Sequence, residues 1–195
     1  MRNIFRRAAT VPADVLARAS LTHGDSVLAG AEADDGTWLL GTRDALVLVP
    51  GRMREGDEEV PLGHTTLDAD VRTIPWERVE SADWDRDESR LRVSEVADFG
   101  RERPVHVLTV PEPGPLLPMV RERVTASVLL QRRVVVSGRS GLTVIARRPP
   151  RGPGDITWAY DFDPGMDPDD PLVAQAAEDG LRAAQEELGS GEQST

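Results

Sequence analysis

Two runs of carboxylates carry most of the chemical reach of this chain. Asp161, Asp163, Asp167, Asp169 and Asp170 offer oxygen ligands at spacings suited to Mg2+ or Ca2+. A metal-dependent hydrolase would be built on Asp161, Asp163 and Asp167. The same residues also suit structural duty, and that reading is the stronger. Asp163-Pro164-Gly165 is turn chemistry, and Asp169 and Asp170 favour a helix N-terminus electrostatically. The second run, Asp83-Trp84-Asp85-Arg86-Asp87-Glu88, starts like a calcium loop, which needs Gly at its sixth position and Glu at its twelfth. Glu88 and Ser94 stand there instead, so a solvated hairpin turn is expected. His23, His64 and His106 lie far apart, the first two in predicted loops and His106 within an apolar strand, where a satisfied or half-exposed role is expected. With no Cys, a zinc site would need several of them to converge with carboxylates. No metal and no cofactor are therefore expected. Gly138-Arg139-Ser140-Gly141 opens like a nucleophile elbow, but Leu142 occupies the position reserved for Gly. No Gly-Lys-Ser/Thr follows for a phosphate loop, so the segment reads as a hairpin turn.

Missing residue types exclude further chemistry. The 195 residues include no Cys, and all 23 basic side chains are Arg. Disulfides, thiolate zinc sites, Cys nucleophiles, Schiff bases and a Walker lysine are thereby removed. The Arg-for-Lys bias fits a GC-rich genome better than a selected arginine chemistry. A net charge of −11 opposes coating of nucleic acid or an anionic membrane by the whole protein. The charge is uneven, with +7 over residues 121–151 and −10 over 152–195. The first expectation is internal neutralisation, the acidic C-terminal segment covering the arginines. The sharper alternative is an anion- or partner-binding surface on Arg132, Arg133, Arg147 and Arg148, because guanidiniums fork onto carboxylates and phosphates. That segment lacks interleaved aromatics for stacking bases, which weighs against nucleic acid.

These residues need elements to position them. Residues 1–24 read as an arm and a short helix, with Pro12 in the first turn and Val15, Leu16 and Ala19 on one side. Ser26 to Ala33 and Thr37 to Thr42 read as strands joined by a two-residue turn at Asp35-Gly36. Arg43-Asp44 makes a second tight turn. Ala45 to Val49 is apolar on both parities, so it is expected to be covered on both faces. Residues 51–72 form a long charged loop. A fourth strand carries Ile74 and Trp76 and then, past an irregularity near Pro75 to Val79, Ala82 and Trp84. Leu91 with Val93, then Val105 to Val110, complete six strands. Trp38, Trp76 and Trp84 are expected in the core. An amphipathic helix is predicted over 114–131 from Leu117, Val120, Val124, Val128 and Gln131. A hairpin of Val134–Val136 and Leu142–Ala146, a strand at Ile156–Tyr160 and a C-terminal helix follow. Asp170 caps that helix, Pro171 begins it and Gly189 closes it. No stretch is apolar and long enough to span a membrane. The basic start MRNIFRRAAT lacks an apolar region, so a cytoplasmic protein is expected.

Strand order and wording resemble the bacterial pleckstrin-homology-like (PH-like) domain. GTRDALVLVP at 41–50 is similar to its strand–turn–strand, TIPWERVESADWD at 73–85 to its Ile-Pro strand, and SRLRVSEV at 89–96 to the return strand. PWERVESADWD and RERVTASVLLQRRV also resemble stretches in proteins of high-GC Gram-positive bacteria. The likeness implies an α+β fold: an antiparallel PH-like sheet or barrel over residues 25–131, capped by an amphipathic helix. The expected C-terminal extension is a β-hairpin, strand and helix over 132–189, with a disordered tail at 190–195. PH-like domains are scaffolds, so the implied role is a non-enzymatic binding or assembly module. Its expected partner is another protein or a second copy of the chain. Relatives that grip phosphoinositides use a basic loop between the first two strands. Here that loop, Glu32 to Gly36, is acidic.

Overall fold

The computed structural model describes residues 10–21, 24–51, 70–97, 99–101, 103–151 and 154–192. His23, His64, most of the 51–72 loop and residues 193–195 lie outside the described residues. The chain is α+β, with three antiparallel sheets among the described residues. It divides into two units. The first runs up to Glu95 and resumes over Val105–Thr125; the second takes Val96–Pro104 and everything from Ala126 on.

The first unit begins with helix α1 (Ala13–Arg18) and a four-stranded sheet in the order β1 (Ala29–Glu32), β2 (Trp38–Gly41), β3 (Ala45–Val49) and β4 (Arg72–Pro75). Turn chemistry sets the registers. Asp34-Asp35-Gly36 is a three-residue loop, one longer than the dipeptide suggests, because Ala33 N–H bonds Thr37 O at 2.8 Å. Gly36 sits at φ +79°, where a side chain would be strained. The Arg43-Asp44 turn closes on Thr42, whose hydroxyl accepts from the amides of Asp44 and Ala45. All five β3 residues are buried, as the double-parity pattern requires. One face of the sheet meets α1 through Val15, Ala19, Trp38, Leu40, Val47 and Val49. The other face carries Leu39, Leu46, Leu48 and Ile74 into the main core.

A second sheet, β5 (Val79–Asp85), β6 (Arg90–Glu95) and β7 (Val105–Thr109), supplies Val79, Leu91, Val93 and Leu108 to that same core. Helix α2 (Leu116–Ser127) adds Leu116, Leu117 and Val120. Among the described residues the unit therefore has seven strands, where the sequence suggests six. Pro75 and the 3-10 turn Trp76–Arg78 break the expected fourth strand, and its halves join different sheets. Trp76 is fully buried at this break and donates its indole N–H to Thr42 O at 3.2 Å. Trp38 is buried too, whereas Trp84 packs against the core only in part.

Helix α2 also stops earlier than the 114–131 periodicity suggests. Val128 opens β8 (Val128–Ser137), which pairs with β9 (Ser140–Arg147) from Val128↔Arg147 to Ser137↔Ser140. From Leu130 on, a period-2 pattern replaces the helical one, and β9 captures it.

In the second unit β9 is central, between β8 and β10 (Thr157–Phe162). Helix α3 (Pro171–Glu192) lies on one face, packing Val173, Ala177 and Ala184 against Leu142 and Val144. Val96, Ile145 and Ala159 form a smaller cluster of their own, with Val128 against it. Asp170 caps α3 by accepting Leu172 N–H at 2.8 Å. The helix runs through Gly189 to Glu192 instead of closing there, so the expected tail at 190–195 is helical in its first part. At Gly180 an added Cβ would lie 2.6 Å from Val134 Cγ2, so this glycine sets how closely the helix meets β8. Among the described residues, no helix is long and apolar enough to cross a membrane.

Candidate functional site

The first unit brings a guanidinium, a carboxylate and an imidazole together from three strands. Arg72 opens β4, Glu95 closes β6 and His106 lies on β7 opposite Val93. Strand parity aims them at the core side, with Ile74, Leu91, Val93 and Leu108. Arg72 grips Glu95 with a fork, Nε to Oε1 at 2.6 Å and Nη2 to Oε2 at 2.9 Å. His106 Nε2 lies 2.6 Å from Glu95 Oε1. Beside an ionised carboxylate that nitrogen carries the proton and donates it. Glu95 is 6% exposed and His106 4%. His106 Nδ1 is buried without a hydrogen-bond partner among the described residues.

Burial pushes the Glu95 carboxyl up, but the hydrogen bonds from His106 and Arg72, and the charges behind them, outweigh it. Its pKa falls from 4.5 to about 2. A general base works best with a pKa near the operating pH, and this carboxylate lies far below it. The arrangement is a polar clasp, tying the β4 edge of one sheet to β6 and β7 of the other. Sequence reasoning missed it. The sequence singles out His106, but Glu95 and Arg72 lie 11 and 34 positions away and look like ordinary strand polars. The available signal was one acid, Glu95, on the apolar parity of β6.

The second unit holds the four arginines singled out from sequence. They do not converge, since neighbours on a strand point to opposite faces. Arg132 donates to Glu187 of α3 at 2.9 Å. Arg133, on the other face, forks onto Asp163, with Nη1–Oδ1 at 2.8 Å, and also reaches Arg139 O at 3.1 Å. Gly141 N–H donates to the same carboxylate at 2.9 Å. The Arg133 bond, then the Gly141 amide, hold the Asp163 carboxyl down at about 2 against a small opposing effect of burial. Arg133 is raised in turn by its bond to Asp163. Arg147 is buried and donates to Ser127 Oγ at 3.0 Å, while Arg148 is exposed and its backbone N–H bonds Ser127 O. Arg132 and Arg133 are thus paired with the acidic C-terminal segment.

The acidic runs have protein partners as well. Asp85 accepts from the amides of Asp87 and Glu88 inside its hairpin turn. Asp167 accepts from Asp169 N–H, and Asp161 lies 4.0 Å from Arg103. Asp161, Asp163 and Asp167 do not come together: among the described residues no three His, Cys, Asp or Glu side chains are placed to hold a metal ion. Compared with known proteins, the chain matches no family model, no curated protein and no solved structure.

Proposed function

We propose that this chain is a non-enzymatic binding or assembly module of the cytoplasm, built on a PH-like first unit and extended by a three-stranded sheet and its helix. The observation that carries the reading is how the charged groups are spent. Glu95 and Asp163 are each gripped by an arginine and held ionised at about 2. Groups tuned for acid–base work are pushed toward neutrality, not away from it. A four-stranded and a three-stranded antiparallel sheet that share one core with α2 support the PH-like reading. With no Cys in the chain, nothing requires an oxidising compartment. The implied partner is a protein surface.

The test sets this reading against a metal-dependent hydrolase. Thermal melts with Mg2+, Mn2+ or Ca2+ should coincide with the melt in chelator, because a ligand that binds only the folded state raises its stability. Phosphodiester and ester substrates should show no turnover. A melt raised by one of these ions, with hydrolysis lost in Asp161→Asn or Asp163→Asn, would overturn the proposal.

A further inference from the structure

Strand β8 forms one edge of the second unit's sheet, and none of its ten residues is buried. Natural edge strands are blunted by prolines, bulges or charges that repel a neighbour. Here VLLQRRVVVS contains neither Pro nor Gly. Its irregularities lie at the ends, between Val128 and Leu130 and between Val135 and Ser137, leaving a regular middle. The two charges in that middle, Arg132 and Arg133, are already matched by Glu187 and Asp163. Val135 stands 60% exposed among them. Between its two irregularities, over residues 130–135, this edge lacks the usual defences against another strand.

We propose that β8 is a self-association edge, pairing antiparallel with β8 of a second copy of this chain to join two three-stranded sheets into one of six. The inference deepens the binding-module reading by naming its partner. Antiparallel pairing of like edges requires a two-fold axis perpendicular to the sheet. Facing residues then share a face, and α3 of both copies lies on the same side. A register centred on Arg132 or Arg133 sets guanidinium against guanidinium, which is destabilising. Centring on Gln131 leaves Val135 unpaired, and centring on Val135 shortens the ladder. Centring on Val134 pairs residues 133–135 of both strands within the regular stretch, and the irregularity between Val135 and Ser137 bounds the ladder. Val134 then meets its own copy and Arg133 meets Val135. No like charges face each other, and the exposed Val135 is covered by the aliphatic stem of Arg133.

The chain's lack of Cys makes the register testable with single thiols. Val134→Cys places two thiols across the axis, at the roughly 4.5–5.5 Å Cα separation of facing strand residues, within disulfide range. Val136→Cys places them four positions apart along the strands, roughly 13 Å. Mild oxidation should cross-link the first variant and not the second. In sedimentation the wild type should dimerise by about 100 µM, a modest affinity suited to a short ladder. Val135→Arg creates two facing like-charge pairs by symmetry and should weaken the dimer about tenfold. Val135→Glu faces Arg133 and should not weaken it. A wild type that stays monomeric throughout this range overturns the proposal and leaves the edge to an extended segment of a different protein. Equal cross-linking of the two thiol variants, or equal weakening by Arg and Glu, also overturns it. Failure of the binding-module reading shows separately, as turnover.

Discussion

Replacing Glu95 by Gln keeps the shape of the side chain and removes its charge, leaving an imitation of the protonated acid. The carboxyl titrates at about 2 in the folded chain against an ordinary 4.5. At about 1.4 kcal/mol per unit, the ionised form is favoured in the fold by about 3 kcal/mol. Glu95→Gln should therefore cost about 3 kcal/mol at neutral pH. Arg72 is 47% exposed, so water screens its part, and the buried bond to His106 is the firmer share. The sign follows from the depressed pKa. The contribution is complete above the unfolded value of 4.5 and is lost as pH falls toward the folded value of about 2. The gap between wild type and variant should close across that window. Hydrogen exchange of β6 and β7 amides in urea, from neutral pH down to about pH 2, reads the first unit alone. Equal protection at neutral pH, or a gap that stays constant into acid, would refute the clasp as a source of stability.

Two further outcomes are expected. In Arg133→Ala the Asp163 carboxyl should rise from about 2 toward 3.8, stopping short because Gly141 N–H still donates to it. A carbon-detected NMR titration checks this, and an unmoved value would remove Arg133 as the cause. Gly180→Ala gains about 1 kcal/mol of helix propensity, but drives a methyl to 2.6 Å from Val134 Cγ2. The overlap should win, with a net loss of about 1 kcal/mol, and a double-mutant cycle with Val134→Ala in urea melts should show the two changes relieving each other.

Local chemistry was readable from sequence and long-range pairing was not. The Arg43-Asp44 turn, the double-parity β3 and the Asp170-Pro171 helix start depend on residues close in the chain, and each is found where the pattern places it. The end of α2 was not readable, because Val120, Val124 and Val128 continue a helical spacing into residues whose alternation suits β8 equally. The difference lies in β9, a partner some way along the chain. Gly189 carries no stop of its own, since glycine is tolerated inside a helix at a cost. Block charges showed that the arginines and the C-terminal acids have opposite signs. The identity of the pairs, Arg132 with Glu187 and Arg133 with Asp163, follows only once β10 and α3 lie against the hairpin. The Arg72–Glu95–His106 clasp joins strands from two sheets, and no window along the chain contains all three.

The second unit borrows nine residues from between β6 and β7, and this has a consequence during synthesis. Val96 belongs with Ile145 and Ala159, and the Phe99 ring meets the edge of Tyr160 at 5.1 Å. Those partners leave the ribosome about 45–60 residues after Phe99, roughly 2–12 s later at ordinary elongation rates. Through that interval β6 and β7 are available to pair while Val96 and Phe99 between them wait for a surface not yet made. Neither unit is therefore a continuous cassette that a single recombination event could hand to another protein. A gene cut between α2 and β8 would leave one product with an uncovered Val96 and Phe99, and the other with a gap where they belong.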